Sequence, residues 1–255
     1  MIIKRLAVYL CAVLIIIGLE LLLYFVDIRI LLILYIGLAL ILLGFLKFFI
    51  KTKVFSKDFF YLSLLPLLLL LSIGIFLLIL GSDLLQHFVI GLGAFFLFLF
   101  LENLFLYYYQ PVKYQPHSLE NLSALLQIIV FFLLVINLVA LNIFLNLPIW
   151  LLSIILLIGL SLILLQAFWI YKLANKMKYV YLFIINIIIL EYFWALFFLP
   201  TNFFVSSIIL TIIFYFIWGI FKAKINDKFS KKLFWRYLII SCFLLFCVIA
   251  TNSWI

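Results

Sequence analysis

Charged residues are scarce in this 255-residue sequence. They make up 10% of it, against about 25% in a soluble domain, while 71% is hydrophobic. So few polar residues cannot cover that much apolar surface, which excludes a soluble enzyme, a nucleic-acid-binding domain and a disordered chain. Proline (5) and glycine (9) are also sparse, which excludes collagen-like and low-complexity sequence. The three cysteines, Cys11, Cys242 and Cys247, all fall inside apolar runs, so neither a disulfide framework nor a tetrahedral zinc site is expected. The two histidines, His87 and His117, are expected on opposite sides of a membrane, because the long apolar run 86–109 lies between them, and so cannot jointly hold a haem or a metal within it. Asp27, Asp58, Asp83 and Asp227 are isolated, and no HExxH, Gly-x-Ser-x-Gly or phosphate-binding glycine loop occurs. No catalytic residue, cofactor or metal is therefore assigned. No internal repeat relates the two halves, which weighs against inverted-repeat transporter folds.

What the sequence does contain is long apolar runs. A helix needs about 20 such residues to cross a hydrocarbon core, and backbone amides left in lipid must be paired within the segment. The runs predict helices at 6–26, 29–50, 59–81, 86–109, 121–145, 147–171, 179–200, 201–221 and 237–255. Asp27 and Arg29, Gly81-Ser82-Asp83, Asn146-Leu147-Pro148 and Pro200-Thr201-Asn202 separate them. The fold class expected is an all-α membrane protein, a bundle of about nine transmembrane helices, with residues 1–255 forming a single polytopic domain. The first run is long for a cleavable leader and has no small-x-small site after it, so the first helix is expected to remain.

Basic residues check the count. Lys4, Arg5, Lys47, Lys51, Lys53, Lys57, Lys113, Lys172, Lys176, Lys178 and the group Lys222–Arg236 all fall on one side of a nine-crossing chain; among the 17 basic residues, Arg29 alone falls on the other. Lysine and arginine are retained on the cytoplasmic face, which places the N-terminus inside and the C-terminus outside. The net charge of +9 is then a membrane-surface charge. Phe229, Leu233, Phe234 and Trp235 alternate with lysines and predict a short helix lying flat on the inner leaflet. Tyr107, Tyr108, Tyr109, Trp169, Tyr171, Tyr179, Tyr181, Trp218, Trp235 and Tyr237 read as inner interfacial anchors, Trp150 and Trp254 as outer ones.

Ionisable groups inside the bilayer are expensive and are functional candidates by default. At 1.5 Å per residue, Glu20 lies roughly 9 Å below the outer end of the first helix. By the same rise, Glu102 lies roughly 10 Å and Glu191 roughly 18 Å above the inner ends of the fourth and seventh. On adjacent helices these carboxyls would form a staircase for a proton or a cation; the plainer reading is three structural acids hydrogen-bonded to neighbours. Lys47 either snorkels to water or pairs with Glu102. In the fifth helix, Ser123, Asn142, Asn146 and Asn137 lie at about −40°, +60°, +100° and −80° from Gln127. Gln127, Asn137 and Asn142 are thus candidates for a polar lining, or for ordinary hydrogen bonds between helices.

In the loop 110–121, Ser118 is expected to cap the fifth helix and Glu120 to sit in its first turn; His117 and Glu120 are alternatively a docking or gating pair. Pro66 predicts a kink in the third helix. The glycine pair Gly37 and Gly44, the stripe Ala7, Cys11 and Gly18, and Gly91 on the face of Glu102 predict close helix approaches. Two function classes follow. The odd helix count and the absence of motifs favour a non-catalytic membrane subunit or scaffold, with the bilayer and a membrane protein as partners. The three carboxyls favour a small proton- or cation-coupled transporter or channel. An intramembrane lipid-modifying enzyme ranks third. Abundant lysine, isoleucine, phenylalanine and asparagine suggest AT-rich coding and a bacterial inner membrane, or an organelle inner membrane.

Overall fold

The computed structural model describes residues 2–25, 27–50, 56–173, 175–225 and 229–251. Among these residues there are nine helices long and apolar enough to cross a membrane, and no strand. They are α1 (Ile2–Tyr24), α2 (Ile28–Phe49), α3 (Lys57–Ile79), α4 (Asp83–Tyr109), α5 (Ser118–Leu145), α6 (Ile149–Ile170), α7 (Asn175–Leu196), α8 (Phe203–Ile225) and α9 (Lys231–Thr251). This is the all-α architecture and the helix order expected from the apolar runs. Lys51, Lys53, Asp227, Lys228, Trp254 and the end of the ninth predicted helix lie outside the described residues.

Local polar chemistry sets the helix starts. The first amides of a helix lack intrahelical acceptors, and short side chains supply them. Asp27 accepts from the amide of Arg29 at 2.9 Å, Ser56 from Phe59 at 3.2 Å, Asn202 from Val205 at 2.9 Å and Ser230 from Leu233 at 3.2 Å. The Ser230 cap corrects the expected flat helix: Lys231–Arg236 is the opening of α9, while Lys222 and Lys224 close α8. Ser118 is a correction of another kind. It is the first residue of α5 and not its cap; its hydroxyl donates to Asn103 of α4, and the Leu119 amide donates to the Tyr114 hydroxyl at 3.2 Å. Pro148 stands just before α6 as its N-cap, one position outside the first turn.

The chain divides into two compact units, Met1–Val130 and Phe131–Ile255, with the boundary inside α5. In the first unit, α1 packs along α2, α3 and α4, burying Val8, Cys11, Ile15, Leu19 and Leu22 at three- and four-residue spacing. A Cβ on Gly18 would collide with Leu38, and one on Gly74 with the ring of Tyr35, so these glycines let α1 meet α2 and α2 meet α3. Gly37, Gly44 and Gly91 have no neighbour close enough for this, which corrects their expected role. The fault lies in sequence spacing, which marks a small-residue stripe without showing whether anything covers it. Pro66 is buried within α3, which continues through it.

In the second unit, α7 packs between α6 and α8, and α8 against α9. Phe131 stacks on Phe214 at 4.2 Å, and Leu134 fills the space over Gly159. Asn186 donates to Ser161 at 3.1 Å and Trp194 to Ser153 at 2.8 Å, tying α7 to α6. Such bonds contribute about 0.6–2 kcal/mol each in a membrane. Trp218, 2% exposed, packs against Phe168 and Tyr171, and Tyr181 packs on Phe221. Both are core residues, not the surface anchors expected, because their helix faces turn inward.

Candidate functional site

The α1–α4 seam gathers the polar chemistry of the first unit. Arg5 Nη2 lies 3.5 Å from Glu102 Oε1, with the arginine side chain 52% exposed and the glutamate 16%. Glu102 Oε2 is buried and takes no hydrogen bond among the described residues. Beside this pair, Lys4 donates to the Tyr109 hydroxyl at 2.9 Å and lies 4.1 Å from the centre of the Tyr109 ring. An ammonium over an aromatic face gains about 0.5–2 kcal/mol, depending on its exposure, so the half-buried Lys4 reinforces the same helix pair. At the far end of the seam, His87 Nδ1 lies 2.9 Å from Glu20 Oε1. Between the two ends Tyr9 meets Phe98, ring centroids 5.2 Å apart.

Two of the three predicted glutamates are thus brought to one seam, at its opposite ends. Arg5 and Glu20 are fifteen residues apart, roughly 22 Å along the helix. On α1 the buried side chains between them are the apolar Val8, Cys11, Ile15 and Leu19; on α4, between His87 and Glu102, they include Ile90, Ala94, Leu97 and Leu101. The pairing with Arg5 and with His87 was missed in sequence because nothing local signals it. Only the contact of α1 with α4 creates it.

Glu191 belongs to the second unit. It lies on the exposed face of α7 and has no ion pair or hydrogen bond among the described residues. In α5, Ser123, Gln127 and Asn137 are buried, whereas Asn146, expected in the same half, is exposed just past the helix end. Asn142 instead donates to the carbonyl of Leu147 at 2.8 Å, closing the turn into α6. His117 lies 2.6 Å from Glu120, one helical turn away, with its backbone in the left-handed region at φ 65°. A cavity of 260 Å³ in the first unit is bordered by Leu22, Tyr35, Leu71 and Gly74, and one of 290 Å³ in the second by Tyr192, Leu196, Thr201 and Ile249. Neither is lined by a predicted carboxyl or amide. Among the described residues, no three His, Cys, Asp or Glu side chains are placed to hold a metal ion.

Residues 23–251 match the family described as "Protein of unknown function (DUF5656)". The chain belongs to that family. The match takes in His87, Glu102 and Glu191 and begins after Arg5 and Glu20. No curated protein and no solved structure matches the chain.

Proposed function

We propose that this membrane protein is a non-catalytic, multi-pass subunit or scaffold whose polar groups within the apolar helices fix helix packing. The observation that carries this reading is the use of Glu20 and Glu102. Each faces a cation or a histidine on the neighbouring helix, and apolar side chains fill the stretch between them. Carboxyls committed in this way hold two helices in register. The two units share α5, and we read residues 1–255 as one polytopic domain with the N-terminus in the cytoplasm and the C-terminus outside. The clustering of lysines at the start of α1, the end of α2, the end of α6 and the end of α8 supports that orientation. The reading places the protein in a bacterial inner membrane, with lipid and a membrane protein as its partners.

A second reading rests on Glu102 Oε2, a buried oxygen with no hydrogen bond among the described residues. In it, Glu20, Glu102 and Glu191 handle a proton or a cation, and Gln127, Asn137 and Asn142 line its path. Water accessibility separates the two. Cys11, Cys242 and Cys247 are replaced, single cysteines are placed at 20, 102 and 191, and intact membranes are treated with a small hydrophilic thiol reagent. Only a hydrated thiolate reacts. Silence at 102 and 191, with Asn146→Cys labelled as a control, is the outcome expected of a packed subunit. Labelling at two or more of the three positions makes transport the working function.

A further inference from the structure

Arg29 is the exception to the charge pattern: among the 17 basic residues it alone falls at a lysine-poor helix end. The retention of lysine and arginine on the cytoplasmic face does not account for it. Asp27, the N-cap of α2, accepts from the Arg29 amide at 2.9 Å, so a carboxylate and a guanidinium share one helix start. Both residues are exposed. Among the described residues neither side chain enters an ion pair, with the other or with a third group. The 260 Å³ cavity of the first unit begins two residues further on, at Leu31, Leu32 and Tyr35 of α2. Its wall is completed by the last turns of α1 and α3, with Leu22, Leu71 and Leu78 among them. Leu32, Leu71 and Leu78 are exposed, so the cavity is a groove open at its side. Arg29 stands one turn before Leu32, about 60° round the helix.

We propose that this groove and the helix start beside it bind one phospholipid whose head group carries a phosphate and a primary ammonium, of the phosphatidylethanolamine type. An acyl chain lies in the groove, Arg29 holds the phosphate and Asp27 the ammonium. The groove alone selects nothing, because lipid tails are as apolar as the leucines that line it. Selection comes from charge complementarity at the helix start. A guanidinium presents a planar fork of donors that matches phosphate oxygens. A carboxylate only accepts, and an ammonium offers it three donors. The two side chains sum to zero charge, as the head group does. A lipid with a purely anionic head would meet Arg29 but set its charge beside Asp27. A choline head carries the positive charge without an N–H to donate. The groove has no polar group of its own to spare, since the Tyr35 hydroxyl already donates to the Leu70 carbonyl.

The inference rests on the reading of the chain as membrane-spanning, and photolabelling by lipids tests the two separately. The full chain is reconstituted into phosphatidylcholine vesicles that carry a trace of one probe lipid in both leaflets, so the result does not depend on orientation. The probes are phosphatidylethanolamine, phosphatidylglycerol and phosphatidylcholine with the same photoreactive acyl chain, and adducts are located by peptide mass spectrometry. Adducts at the groove, around Leu22, Leu32 and Leu71–Leu78, are expected to form with the ethanolamine probe at about threefold or more the yield of the other two. Arg29→Gln and Asp27→Asn should each reduce that excess to the level of the choline probe. Both residues are exposed, and asparagine at position 27 keeps the cap acceptor, so neither change disturbs the packing of α2. Equal yields from the three probes mean a groove wetted by bulk lipid and overturn the proposal. Preference for the glycerol probe, or an excess that survives Asp27→Asn, overturns the head group assigned. Adducts in no helix from any probe would instead overturn the membrane-spanning reading itself.

Discussion

Glu20 of α1 meets His87 of α4 fifteen residues along each helix from the Arg5–Glu102 pair. The Tyr9–Phe98 contact keeps the same step, four residues from Arg5 and four from Glu102. The three contacts therefore describe one unbroken antiparallel register. α1 carries the cation at its start and the carboxyl near its end; α4 carries the histidine near its start and the carboxyl near its end. A slip of one turn along the seam, about 5.4 Å, would separate both polar pairs at once. Two polar pairs at the ends of an apolar seam thus specify the pairing, whatever they add to its strength.

The first prediction concerns that seam. Arg5 is half exposed, so Arg5→Ala should lower stability only by about 0.5 kcal/mol. Arg5→Glu sets two carboxyls against each other and should cost more. The double variant Arg5→Glu, Glu102→Arg should recover most of the loss. Denaturant unfolding in detergent micelles measures all three. A double variant no more stable than Arg5→Glu would mean that the pair does not hold the helices.

Glycines give the second prediction. Gly74→Leu drives a side chain into the Tyr35 ring, whose hydroxyl donates to the Leu70 carbonyl at 2.5 Å. Overpacking of this kind costs about 1–3 kcal/mol. Gly37→Ala and Gly44→Ala meet open space and should stay within about 0.5 kcal/mol of the parent. The same unfolding measurement checks the contrast; equal losses at all three positions would refute it.

Ser230 is the basis of the third. Its hydroxyl accepts from the Leu233 amide, and Ser230→Ala should remove about 0.5–2 kcal/mol of capping from the start of α9. Hydrogen exchange is the sensitive readout: amides 232–234 should exchange faster in the variant while those of α8 do not change.

Much of the fold was legible in the sequence because hydrocarbon allows so few solutions. An apolar run of some twenty residues must be a helix. Helix starts were less legible. With Ser230 as its cap, α9 starts at Lys231, six residues ahead of the predicted 237, because the lysines there read as a separate helix lying on the membrane surface. Of the candidate site, the burial of Gln127 and Asn137 followed from their shared helix half, but the partners of Glu20 and Glu102 did not. Residues 15 and more positions apart in two helices meet only through packing, and a lone histidine or arginine carries no mark of its partner. The same limit separates Gly18, which Leu38 covers, from Gly44, which nothing covers.

The last prediction tests the orientation. Ser82 and Asn146 are exposed between helices at one end of their units, and Lys113 and Lys172 are exposed between helices at the lysine-bearing end. Single cysteines at these four positions, in a background without Cys11, Cys242 and Cys247, give a map from one reagent. A membrane-impermeant thiol label added to intact cells should modify Ser82→Cys and Asn146→Cys at once. Lys113→Cys and Lys172→Cys should react only after permeabilisation, because the lysines that hold those ends do not cross the membrane readily. The reverse pattern would invert the chain and make the basic face external. Labelling of 82 and 113 from the same side would mean that α4, although 27 residues long, does not cross the membrane, and the nine-crossing topology would fall with it.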